Sequence, residues 1–261
     1  MRMAHPLENH PVFERPADEN VRIWRYIDLA KYLDLLETKQ LYFARADLLG
    51  DPFEGSLPRQ NSEWRTKQGE EVARKLISHG GRDPELRTWM RTKLLSDREW
   101  TFINCWHVNQ HESAAMWRLY PAQAIAVRST YARLRACLPG APGKPPLVYV
   151  GLVRYLDYEA DAFEEGNTYW PFIHKRKSFE HEKELRALHH DETGDLEVWN
   201  GTLRKGPPGV RVDVDLEHLI ERIFVAPQSP AWLYELVRKV SDRYGLGKPV
   251  EQSALDAPAM F

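Results

Sequence analysis

Short apolar runs with period-two alternation recur along the chain, separated by segments of helical spacing and by turn residues. Val21 to Tyr26 reads as a strand, and Asp28 is placed to cap a helix carrying Leu29, Tyr32, Leu33, Leu35 and Leu36 to about Thr38. Gln40 to Ala44 returns as a second strand. Arg45 to Gly55, with Gly50, Pro52 and Gly55, reads as a constrained loop whose acids Asp51 and Glu54 have no evident structural duty. Residues 62–98 read as one or two amphipathic helices broken at 79–84, an insertion or lid outside the sheet. Trp100 to Trp106 predicts a strand, Glu112 to Tyr120 a helix and Ala122 to Val127 a strand. Ser129 or Thr130 then caps a helix with Tyr131, Leu134 and Leu138, and after a Pro- and Gly-rich loop Leu147 to Tyr155 is extended. Downstream lie a strand at Val210 to Val214, a helical turn at Asp215 to His218, a strand at Ile220 to Val225 and a closing amphipathic helix from Pro230 to Tyr244. Many strands with irregularly spaced helices predict an α+β fold with a mixed, largely antiparallel sheet, not a doubly wound one. Residues 1–20, punctuated by Pro6, Pro11 and Pro16, are expected to be a flexible arm. Residues 21–245 should form one domain and 246–261 an irregular tail.

The stretch Phe179 to Leu188 draws the eye for its charge. If it is extended, Glu182, Glu184 and Arg186 project from one side and Lys183, Leu185 and Ala187 from the other. Two carboxylates and a guanidinium are expensive to bury unpaired, so a cleft wall would suit them. A solvated strand face with self-neutralising charge is the plainer alternative. Aromatic and basic residues lead into the stretch: Tyr169, Trp170, Phe172, His174, Lys175 and Lys177.

Composition narrows the classes. The net charge of −2 excludes a broadly basic surface that holds nucleic acid by bulk electrostatics. Nine tryptophans and eleven tyrosines supply stacking surfaces, although most aromatics fill cores. Two cysteines, Cys105 and Cys137, argue against a disulfide scaffold. The first residues lack the apolar core of a signal peptide, and no run approaches the roughly 18 apolar residues of a membrane span. A cytoplasmic protein without a membrane partner is the expectation. No phosphate-loop lysine motif or dinucleotide glycine fingerprint is present. His107 and His111 stand four apart beside Glu112, but the strand-then-loop reading separates them, and no metal is expected. His189 and His190 point to opposite faces of a strand. Cys105, flanked by Trp106, reads as a packing residue rather than as a nucleophile with His107 as its base.

Four segments together carry a resemblance. They are Trp24-Arg25-Tyr26; Leu41 to Asp47 running into Asp51-Pro52-Phe53-Glu54; Cys105-Trp106 with Glu112 to Tyr120; and Phe179 with Glu182, Glu184 and Arg186. In this order they resemble a bacterial family catalogued as domain of unknown function 2971. More distantly, the early strand-helix-strand and the late glutamate-bearing strand look like the ADP-ribosyltransferase fold of DarT-like and diphtheria-toxin-like enzymes.

That resemblance implies NAD as the substrate and names candidates. Arg25 would contact NAD from the first strand, Tyr42 would pack beside the nicotinamide, and Glu184 would bond the ribose. Glu182-Lys183-Glu184 mirrors the two-glutamate motif of the arginine-modifying branch. Arg25, Lys175 or Arg186 would hold the pyrophosphate, since a guanidinium's forked donors suit phosphate oxygens. Glu112, Trp117 and Tyr120, with Asp51 and Glu54, complete the candidate ligand-binding set, although a helix with Met116 and Trp117 at helical spacing more often faces a core. The chain lacks the serine-threonine-serine strand of some relatives of that fold. The implied function is an NAD-dependent transferase, a toxin or phage-defence effector modifying a protein or nucleic acid. The alternative is a non-catalytic nucleotide- or partner-binding module of a defence or stress system.

Overall fold

Strand β3 (Thr101–Val108) is buried on both faces along most of its length and organises the sheet, as a central strand must. The protein is seen here as a computed structural model that describes residues 10–78, 92–120, 123–139, 147–194 and 204–257. On one edge of β3, β8 (Glu184–His190) pairs antiparallel from Thr101 opposite His190 to His107 opposite Glu184, and β5 (Val148–Leu152) adds beyond it. The other edge is shared. β1 (Arg22–Asp28) meets only the end at His107 and Val108, and β2 (Gln40–Arg45) only Phe102 and Ile103. β1 goes on to carry β4 (Ala124–Thr130), β10 (Arg222–Val225) and β11 (Val250–Gln252), while β2 carries β9 (Gly209–Asp213). These make a nine-stranded sheet in which the β10–β11 pairing is parallel and the other pairings are antiparallel. A second, parallel pair joins β6 (Arg154–Leu156) to β7 (His174–Arg176). The fold is α+β with a mixed, largely antiparallel sheet and flanking helices, as the patterning predicts.

Helix α1 (Leu29–Thr38) begins where expected: the Asp28 carboxylate accepts from the Lys31 amide. It ends at Lys39, whose φ of 52° is left-handed. Leu35 and Leu36 of α1 and Leu233 and Val237 of the helix Ala231–Arg243 bury against Ile23, Phe43, Phe102, Trp106 and Leu185 on one sheet face. On the opposite face Ile103 and Leu188 pack with Phe172 and Ile173, and Trp24 and Tyr26 with Met116 and Trp117.

Several expectations are redrawn. Residues 10–20 are not free of the core: Val12 and Phe13 are buried, and Phe13 stacks on Tyr149 at 4.9 Å. Gly151 permits this approach, because a Cβ there would lie 2.8 Å from the Phe13 backbone. The run Leu147 to Tyr155 is divided at Val153 between β5 and β6, and the tail beyond Gly245 returns as β11. The helix after β3 covers only Ala114–Arg118 behind a Ser113 cap. Helix α2 (Arg59–Ser78) occupies part of the expected insertion, and the break at 79–84 lies outside the described residues. Among the described residues no helix is long and apolar enough to cross a membrane.

Candidate functional site

The two strands on the shared edge of β3 diverge between their contacts, and neither pairs with Asn104, Cys105 or Trp106. Unpaired backbone polar groups are costly unless something satisfies them. Side chains bridge the split. Arg25 Nη1 donates to the Cys105 carbonyl at 3.0 Å, and Asn104 Nδ2 donates to the Tyr42 carbonyl at 2.8 Å. Asn104 Oδ1 in turn accepts from Trp106 Nε1 at 2.7 Å. α1 joins β1 to β2 across the open end.

A cavity of about 690 Å³ occupies the split, lined on its strands by Arg25, Tyr26, Tyr42, Cys105 and His107 and closed on one side by Tyr120. That volume lies in the range of small-molecule and cofactor sites. Arg25 stands out among these residues. Burial lowers its pKa, its hydrogen-bond partner is a carbonyl rather than an acid, and no carboxylate of the described residues pairs with it. At the mouth, Arg211 grips Asp34 of α1 with two donors at 2.8 and 2.9 Å and lies 5.8 Å over the Tyr42 ring. Gly209 leaves room for that ring, since a Cβ there would come within 2.3 Å of it.

Directly beside the cavity lies a buried charge cluster. Register places Glu184 opposite His107 and Arg186 opposite Cys105, so all four share a sheet face. Arg186 is fully buried and uses all five N–H donors. Nε and Nη2 reach Glu184 at 2.9 and 3.1 Å, Nη1 and Nη2 reach Glu54 at 2.8 Å each, and Nη1 also reaches the Phe172 carbonyl at 2.7 Å. Lys175 donates to Glu182 at 2.6 Å and Glu184 at 3.3 Å, and stands 3.8 Å from Glu54. Burial alone would raise the Glu184 pKa, but Arg186 and Lys175 overcome it and bring it down to about 2. Asp51 is held by Arg176 at 2.8 Å and caps the turn by accepting from the Phe53 amide.

These placements sort the predicted site residues. Arg25, Tyr42 and Tyr120 come together on one cavity. Glu184, only 2% exposed, does not line it but lies behind Cys105 and His107. Glu182 is not on the strand at all: it ends a 3₁₀ turn (Lys177–Glu182), and Lys183, with φ 44°, sets it off from β8. The alternation therefore holds from Glu184 onward and fails before it. Arg186 has no donor left for a phosphate, and Lys175, Glu54 and Asp51 are committed to the cluster and its flanking loop. Trp117 is buried, donates Nε1 to Glu112 at 3.0 Å and faces a second cavity of about 410 Å³ that shares Tyr120 with the first. Cys105, read as packing, lines the cavity, and burial followed by the Glu184 charge pushes its thiol pKa well up. His107, which the sequence offers only as half of a metal spacing with His111 or as a base for Cys105, lines the cavity and pairs across the strands with Glu184; its position on a strand next to an unpaired edge is not visible in local spacing. Among the described residues no group of three or more His, Cys, Asp or Glu is arranged to hold a metal ion.

No family model matches the chain and no curated protein matches either, so the family resemblance read from the four segments is not confirmed. One solved structure, that of DarT from Thermus sp. 2.9 in complex with NAD+, is similar over 91% of this chain and 98% of its own, at 10% identity and a TM-score of 0.41.

Proposed function

We propose that this protein binds NAD in the split between β1 and β2 and transfers its ADP-ribose unit. The observation that carries the reading is Arg25, a half-buried guanidinium inside a cavity with no acidic partner among the described residues. A desolvated cation whose Nε and Nη2 have no hydrogen-bond partner among the described residues is a site for an anion such as a pyrophosphate. Tyr42 and Tyr120 offer ring faces for the planar ends of a dinucleotide. The charge cluster adds an electrostatic term. Glu54, Glu182 and Glu184 against Lys175 and Arg186 leave one surplus negative charge beside the cavity wall. Its field reaches the lining, where Glu182 and Glu184 help to raise the Tyr120 pKa after burial itself. Cleavage of a nicotinamide–ribose bond builds positive charge on the ribose, which a fixed negative field favours as the charge develops. The resemblance read from the sequence extends this to a toxin or phage-defence effector acting on a macromolecular acceptor, protein or nucleic acid.

One observation favours a second reading, a nucleotide-binding module without turnover: the Glu184 carboxylate is saturated by cations and shielded from the cavity. Calorimetry with NAD, run beside release of nicotinamide from isotopically labelled NAD in bacterial lysate, separates the two. Binding with release and labelling of an acceptor is expected. Binding alone would leave the module reading standing, and the absence of binding would sink both.

A further inference from the structure

His107 is oriented as a base. Its Nδ1 lies 2.9 Å from the Glu182 carbonyl, and a carbonyl oxygen only accepts, so Nδ1 carries the proton and Nε2 holds the lone pair. Nε2 has no hydrogen-bond partner among the described residues, and the ring lines the cavity in the split, 5.9 Å from the Tyr26 ring. The titratable and charged groups around it come from every neighbouring element: Cys105 on β3, Glu184 on β8, Glu182 before it, Lys175 on β7, Tyr26 and Arg25 on β1, and Tyr120 beyond. Burial lowers the imidazole pKa and outweighs the Glu182 carbonyl and the two carboxylates that raise it, so the ring is neutral at neutral pH.

Resting on the NAD reading above, we propose that His107 is the general base of the reaction, taking the proton of the attacking group through Nε2. With water as acceptor, the water oxygen bonds to the ribose carbon as the bond to the nicotinamide nitrogen breaks. The electron pair of that bond neutralises the nicotinium ring, and the water proton passes to Nε2 and then to solvent. The products are ADP-ribose and nicotinamide. A macromolecular hydroxyl or amine would yield its proton by the same route. Glu182 is then a positioning residue through its backbone, since its carbonyl fixes which nitrogen is basic.

The test uses the full chain, NAD and two variants. His107→Asn keeps a donor for the Glu182 carbonyl and removes the base; His107→Gln is a second removal whose melting temperature guards against a folding artefact. Nicotinamide release is expected to fall about 100-fold or more in both, with NAD affinity within about twofold of wild type. The wild-type rate should rise with pH along a limb that the variants lack, because only the neutral ring accepts a proton. Nitrogen NMR of the imidazole gives a readout independent of turnover and should show Nδ1 protonated and Nε2 bare at pH 7. A ring protonated at Nε2 overturns the proposal, and so does folded His107→Asn that releases nicotinamide at wild-type rate. A wild type that binds no NAD overturns the nucleotide reading itself and the proposal with it.

Discussion

Arg186 on β8 and Glu54, 132 residues away in sequence, meet in a two-pronged ion pair of 2.8 Å on each side, deep in the interior. The pair ties the Asp51–Glu54 loop to the sheet beside the cavity. Removing one partner leaves a buried charge uncompensated. Glu54→Gln is expected to cost about 3 to 5 kcal/mol in urea unfolding, whereas the joint apolar replacement Glu54→Leu with Arg186→Met should recover much of that loss. A single-variant cost below about 1 kcal/mol would show that the cluster relaxes freely and is not structural.

Glu184 gives a pH test. Its pKa falls from 4.5 unfolded to about 2 folded, so the unfolded chain binds the extra proton. The stability it contributes is complete above pH 4.5 and is lost as the pH falls toward 2. Glu184→Gln should flatten that acid limb of the stability profile. At pH 7 it should lose about 3 kcal/mol, because Arg186 and Lys175 are left short of charge. An unchanged melting temperature with a large loss of nicotinamide release would instead return Glu184 to a direct role at the ligand.

Arg25 is expected to behave the opposite way. A cation desolvated without an acidic partner adds little charge stabilisation, and Arg25→Met gives up one hydrogen bond to a Cys105 carbonyl on the cavity wall, so stability should fall by only about 1 kcal/mol. NAD affinity should drop at least about tenfold, or about 1.4 kcal/mol, by calorimetry. Arg25→Lys should fail to restore it, since a point charge lacks the forked donors. Full affinity in Arg25→Met would place the ligand elsewhere.

Gly209 should matter through Tyr42. An added Cβ would come within 2.3 Å of the Tyr42 ring and 2.6 Å of the Phe43 carbonyl, so Gly209→Ala must displace the ring or part β9 from β2. Its NAD affinity should fall as in Tyr42→Ala, while Tyr42→Phe, which keeps the ring face, should bind like wild type. Equal affinities in all three would remove Tyr42 from the site.

What the sequence determined by itself is local. The Asp28 cap, the α1 pattern and the alternation of Glu184-Leu185-Arg186-Ala187 are set by neighbours within a few residues, and each stands in the fold as read. Glu182 escaped because the left-handed Lys183 that ends the alternation is a lysine rather than a glycine, which gives no local warning. Tertiary structure alone decided the site. Whether Glu184 faced a cleft or an interior depended on Glu54 and Lys175 arriving from distant segments to neutralise it with Arg186. The cavity itself exists because β1 and β2 contact opposite ends of one edge of β3. That split turns His107 and Cys105 from ordinary strand residues into a wall, a consequence of strand register that no residue spacing encodes.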